Sequence, residues 1–239
     1  MKKVIIIGAT SGIGKALAIE YAKRGWMVGI TGRRLELLIE LSNLLPGKYC
    51  VKSFDICLLE PAMESLRELI FEMGQVDLII MNAGTGHVNH TLEWATETNC
   101  IATNVQGFAA MCNVAMQYFM ERENGHFAAV SSVAGVRGIG GAPAYSASKA
   151  FIINYLESLR GIVTRKKLNI TISNIQPGFI DTAMGQNPKA FWRASTQKAA
   201  RQIIEGLNRK KTQIYVTRRW KIIAWIMKWL PDWIVNKIG

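Results

Sequence analysis

The sequence predicts a doubly wound α/β fold: one parallel sheet of about seven strands with helices on both faces, in a single domain. Three observations predict it. Short apolar, β-rich runs recur along the chain, longer amphipathic stretches separate them, and the runs carry no polar alternation. Strands buried on both faces read as continuous apolar runs, and a helix between successive strands implies parallel pairing through right-handed crossovers. At 239 residues, 49% hydrophobic and 19% charged, the chain can bury one large core. That composition excludes a disordered chain and a polytopic membrane protein. No low-complexity linker or internal repeat interrupts the pattern.

The first strand is Val4–Gly8, after Met1-Lys2-Lys3. Its apolar run is too short for a secretory signal and no small-residue cleavage site follows, so a cytoplasmic location is expected. Gly8-Ala9-Thr10-Ser11-Gly12-Ile13-Gly14 comes next and opens the helical pattern Ala16-Leu17-Ala18-Ile19. Glycines allow a tight turn and let a helix N-terminus approach a pyrophosphate, whose charge the helix dipole favours. Glycine and serine also suit ordinary turns, but the strand, loop, helix order favours a dinucleotide and a Rossmann-type fold. Gly8, Thr10, Ser11, Gly12, Ile13 and Gly14 are the candidate contacts.

The second strand, Trp26–Thr31, ends in Gly32-Arg33-Arg34. A site for NAD normally offers an acid here to the ribose 2′-hydroxyl. This chain offers none. Gly32 leaves room and Arg33 can meet a 2′-phosphate with paired charge-assisted bonds, so NADP (NADPH) is the expected cofactor. The bland alternative is a pair of solvated arginines at a helix start. The third strand, Tyr49–Phe54, is followed by Asp55, placed to hydrogen-bond an adenine. The fourth, Val76–Met81, is followed by Asn82-Ala83-Gly84, small residues for the cofactor's middle. Either could instead be turn chemistry.

The fifth strand, His126–Ser131, runs into Ser132 and a glycine-rich loop, and the next helix starts at Ala142-Pro143-Ala144-Tyr145-Ser146-Ala147-Ser148-Lys149. Tyr145 and Lys149, four apart, share one helical face. A free tyrosine titrates near 10, so its use at neutral pH asks for a downward shift of about 3 units. A neighbouring ammonium has the sign for it. The sixth strand, Asn169–Ile175, precedes Pro177-Gly178-Phe179-Ile180-Asp181-Thr182, and the seventh is Gln213–Val216.

In this order and spacing the motifs resemble the short-chain dehydrogenase/reductase family over residues 1–216, which forms the expected dinucleotide-binding and catalytic domain. The resemblance implies an oxidoreductase that moves a hydride between nicotinamide and a carbonyl or alcohol. It implies that Tyr145 is the acid/base, that Lys149 binds the nicotinamide ribose and lowers the tyrosine pKa, and that Ser132 positions the substrate oxygen. Ser132 is preferred to Ser131 because the family's serine precedes its tyrosine by thirteen residues, as Ser132 precedes Tyr145. Asn104, in Asn104-Val105-Gln106-Gly107, matches the asparagine that holds a helix kink and a proton-relay water. Pro177, Gly178, Ile180 and Thr182 match the cofactor loop, with Thr182 toward the carboxamide. Ile7 departs from the pattern, standing where many members carry threonine. The family also implies a homodimer or homotetramer, paired through the helices that include Asn104–Tyr118 and Tyr145–Gly161. A non-catalytic NADP-binding sensor on the same fold is the rival reading, and it has no need of Asn104, Ser132, Tyr145 and Lys149 together.

The substrate loops are Thr85–Val88, Val133–Gly141 and Ala183–Ser195. Phe179, Met184, Phe191 and Trp192 suggest an apolar wall, hence a hydrophobic small-molecule carbonyl or secondary alcohol. Cys50, Cys57, Cys100 and Cys112 read as buried thiols, and His87, His90 and His126 share no metal-ligand spacing; His87 and His90 read as surface loop.

Net charge is +12, and residues 189–239 hold twelve Lys or Arg against only Glu205 and Asp232. No base-reading module accompanies this charge, so no nucleic acid partner is expected. Residues 217–239 form a basic, Trp-rich helical extension, broken at Pro231, with Trp225, Trp229 and Trp233 recurring every four residues. It is too short and too charged to span a bilayer. It either packs on the domain or on a partner, or makes peripheral membrane contact.

Overall fold

The computed structural model describes residues 1–138, 140–182 and 192–238. Seven strands, β1 (Lys3–Ile7), β2 (Met27–Gly32), β3 (Tyr49–Ser53), β4 (Leu78–Met81), β5 (Asn124–Val130), β6 (Asn169–Pro177) and β7 (Gln213–Val216), form one sheet in the order β3-β2-β1-β4-β5-β6-β7. Every pair is parallel. The pleat sends alternate residues to opposite faces. On one face Val4 and Ile6 meet α1 (Gly12–Lys23), α2 (Leu35–Ser42) and α7 (Thr196–Asn208). On the other, Ile5 and Ile7 meet α3 (Leu59–Met73), α5 (Phe108–Glu121) and α6 (Pro143–Arg165). Both faces are covered, which is why the strands show no polar alternation.

Strand order reverses between β1 and β4, and the carboxyl ends of these two strands open the crevice where doubly wound sheets bind ligands. The expected strand positions hold, with edges shifted for local reasons. β4 starts at Leu78 because the Val76 N–H donates to Tyr118 Oη (2.8 Å) and not to a neighbouring strand. β6 runs on to Pro177 because its ladder with β7 continues to Val216, closed by Gly178 N–H donating to Val216 O (2.7 Å).

Before α5, α4 (Trp94–Ile101) passes through a widened π-helical turn at Ala102–Gly107. After β7 come α8 (Trp220–Trp229) and α9 (Asp232–Ile238). Trp220 and Ala224 of α8 are buried against Val133, with Val136, Phe179 and Tyr215 packed beside them. Arg137 forms an ion pair with Asp232. Among the described residues no helix is long and apolar enough to cross a membrane. One thiol departs from expectation: Cys57 is half-buried, because it sits in the loop after β3 with its sulfur 3.4 Å from Thr103 Oγ1.

Candidate active site

The glycine loop turns at the carboxyl end of β1. Gly8 has φ +89°, and a Cβ there would fall 2.6 Å from the Ala83 backbone, so the two strand ends touch only because this residue is glycine. Asn82 Nδ2 donates to Gly8 O (2.7 Å) and fixes the loop from the β4 side. Ser11 precedes α1 without a side-chain cap, which leaves the first-turn N–H groups directed at the crevice. Thr182 faces Gly12 across it, so the loop after β6 forms the opposite wall. Ile180 behind that wall is buried in the core. An uncapped helix N-terminus, a glycine cradle and small residues at Ala83 and Gly84 fit a dinucleotide's pyrophosphate.

At the end of β2 the two arginines part. Arg33 lies 3.8 Å from the Asp55 carboxylate, whose other oxygen accepts from Cys57 N–H (3.0 Å). Arg34 swings over the glycine loop and donates to Thr10 Oγ1 (2.7 Å), with Ser11 Oγ 3.4 Å away. The sequence reading singled out Arg33. The guanidinium nearest the loop belongs to Arg34, whose position as the residue preceding α2 was the available signal.

The remaining candidates converge on α6. Asn104 is displaced inward by the π-turn; its Oδ1 accepts from Thr85 N–H (2.9 Å) and its Nδ2 donates to Thr85 O (2.7 Å) and Ser148 Oγ (3.0 Å). Ser148 in turn donates to Tyr145 O (2.8 Å). Lys149 is buried, donates to Val130 O (3.2 Å), and holds its ammonium 5.7 Å from the centre of the Tyr145 ring. Gly84 lies against both Asn104 Oδ1 and Lys149 Nζ, joining the β4 loop to this cluster. The adjacent serines separate cleanly. Ser131 is buried and donates to Asn174 Oδ1 (2.5 Å), whereas Ser132 is half-buried and interacts with Tyr145. Gly86 covers one edge of the Tyr145 ring.

Burial pushes Tyr145 up from the usual tyrosine range, the Ser132 hydroxyl pulls it back in part, and Cys100 adds to the rise. Burial lowers Lys149 to about 8, with Cys100 acting in the opposite sense. The expected downward shift of the tyrosine is therefore not what this arrangement produces: desolvation of a phenolate outweighs the hydrogen bond that favours it. Phe179 and Trp192, two of the residues expected in an apolar wall, stand edge-on to Trp220, at 5.4 and 6.3 Å. Trp220 itself was grouped with the extension by sequence, yet its indole packs directly on Gly178. Met184 and Phe191 lie outside the described residues.

The short chain dehydrogenase family matches residues 2–191. The chain belongs to this family. An "uncharacterized oxidoreductase" of Myxococcus xanthus is 33% identical over 97% of this chain and 93% of its own length. A short-chain dehydrogenase/reductase from Burkholderia phymatum, solved with NAD, superposes with a TM-score of 0.85 at 18% identity, covering 93% of this chain and 91% of that one. A serine dehydrogenase solved with NADP+ gives 0.78 at 21%, covering 89% and 93%. The short-chain dehydrogenases are oxidoreductases with nicotinamide cofactors, and the seven-stranded parallel sheet described above is their fold.

Proposed function

We propose that this short-chain dehydrogenase is an NADP-dependent enzyme that interconverts a hydrophobic carbonyl and its secondary alcohol, with Tyr145 as acid/base. The observation that carries the reading is the cluster of Ser132, Tyr145, Lys149 and Asn104 beside the glycine crevice. Gly8 to Gly14, Asn82 to Gly84 and the Pro177–Thr182 segment would hold the dinucleotide, with Arg33 and Arg34 at the 2′-phosphate. The bound nicotinamide supplies or accepts the hydride. Ser132 orients the substrate oxygen toward the phenol, and Tyr145 passes its proton to that oxygen as negative charge develops there. The protonated phenol is the form that donates in carbonyl reduction, and the phenolate the form that accepts in alcohol oxidation. Lys149 anchors the ribose beside the phenol, and Asn104 holds the Thr85 backbone and Ser148 in place behind it. The same reading takes the enzyme to be a cytoplasmic homodimer or homotetramer whose C-terminal extension touches a membrane peripherally.

Tyr145→Phe tests it directly. With hydrophobic ketones, aldehydes and alcohols screened by NADPH absorbance, turnover should fall at least about 100-fold, while the NADPH dissociation constant stays within about twofold. Turnover above about 5% of wild type would remove Tyr145 from the chemistry.

A further inference from the structure

The geometry points to a lipid-docking face on α8 that sets the mouth of the active site against an anionic bilayer; this rests on, and extends, the reading of the chain as a reductase of hydrophobic carbonyls. The helix is apolar on two opposite sides. Trp220, Ile223, Ala224 and Met227 form the inner side, against Val133, Val136, Phe179 and Tyr215. At 100° per residue, Ile222, Trp225, Ile226 and Trp229 form the outer side. That side is in solvent: Trp225 is 66% exposed, Trp229 76% and Ile222 64%. A helix apolar all round is normally buried on every side.

Charge selects what covers the outer side. Lys221 and Lys228 run along its edge, both exposed, and the two acids near the helix are engaged by arginines, Asp232 by Arg137 and Glu205 by Arg218. At the N-terminal end of α8 a groove is lined by Trp192, Arg193, Lys198, Arg218 and Arg219. A second copy of the same face would bring lysine against lysine in a two-fold contact. An anionic lipid surface complements the lysines and receives the tryptophans at the headgroup boundary, where amphipathic rings reside. The inner side of α8 rests on Phe179 and on the loop after Ser132, so docking places the apolar wall of the site next to the bilayer. The substrate class that follows is an amphiphilic carbonyl partitioned into that surface.

The test uses the full chain loaded with NADPH and floated with vesicles of phosphatidylglycerol and phosphatidylcholine, or of phosphatidylcholine alone, at low and high salt. We expect anionic vesicles to bind at low salt and to release the protein at high salt. Lys221→Gln/Lys228→Gln should weaken partition roughly thirtyfold, and Trp225→Ser/Trp229→Ser should abolish it, with NADPH fluorescence titration unchanged in both. No flotation of the wild type, equal flotation of the tryptophan variant, or a drop in its oligomeric mass would overturn the inference, the last assigning the face to another copy. Retention of a short DNA duplex but not of vesicles would overturn it in favour of nucleic acid. NADPH binding and ketone reduction in vesicle-free buffer report the enzymatic reading separately, so either can fail without the other.

Discussion

At the scale of single residues, the arginines after β2 carry the proposed preference for NADP. Arg34 lies over Thr10 and Ser11, Arg33 beside Asp55, and Gly32-Arg33-Arg34 at the end of β2 holds no acid. NADPH should therefore bind more tightly than NADH. A charge-assisted bond contributes about 1.5–3 kcal/mol, roughly ten- to hundredfold, and Arg34→Ala should remove more of the gap than Arg33→Ala, whose partner Asp55 already competes for it. Fluorescence titration of both cofactors measures this, and equal affinities in the unmodified protein would contradict it. That Tyr145 and Lys149 share a helical face is legible in their spacing, whereas the placing of Ser132 and Asn104 beside them rests on the family resemblance. Which of two neighbouring arginines turns inward was not legible, since they are adjacent in the chain and only tertiary partners, Thr10 for Arg34 and Asp55 for Arg33, separate their endpoints. The upward shift of Tyr145 was hidden for a similar reason: burial depends on Gly86 closing over the ring, a contact between residues 59 positions apart.

At the scale of elements, strands and helices were legible because the central strands β1, β2, β4, β5 and β6 are largely buried on both faces and their period differs from that of the helices. The π-turn at Ala102–Gly107 was not legible as such, because one extra residue per turn leaves the apolar pattern of α4 and α5 almost unchanged. Packing between elements also creates a pH dependence. His126, on β5, sits 2.8 Å from Ser173 Oγ on β6, and the Ser173 hydroxyl donates to Lys211 O (2.6 Å). The serine's only proton is thus used, so His126 donates through Nε2 as a neutral imidazole. Burial, and then the Lys210 charge, lower its pKa from 6.5 to about 4. Between those values the unfolded chain takes up a proton that the folded chain refuses, so stability falls as pH drops through that window, by about 3 kcal/mol at most. His126→Gln, which keeps a donor toward Ser173, should flatten this loss. Urea midpoints at pH 7, 5 and 4 for both proteins give the comparison, and parallel slopes would show that His126 is not the group responsible.

At the scale of the whole molecule, two apolar surfaces among the described residues should have different partners. One is the outer side of α8. The other is the flank made by α4, the π-turn, α5 and α6, where Trp94 and Ile101 are exposed, Ala147 and Ala150 leave a low surface, and Phe151 and Tyr155 stand half-buried beside Phe108. At 23 residues α6 is roughly 35 Å long. Two such helices packed antiparallel about a two-fold axis, with α5 alongside, can reach the ~800 Å² per partner that a stable interface requires. Small side chains there permit close backbone approach, and no lysine pair faces its own copy as on α8. Light scattering at micromolar concentration should report a dimer or tetramer, and a bulky charge at Ala147, as in Ala147→Glu, should reduce it to monomer. Trp225→Ser/Trp229→Ser should leave the mass unchanged, because that face is assigned to lipid. A monomeric wild-type protein would refute the helix-flank interface. A dimer that survives Ala147→Glu and dissociates with the tryptophan variant would exchange the two assignments, leaving the helix flank in water and α8 as the contact between copies.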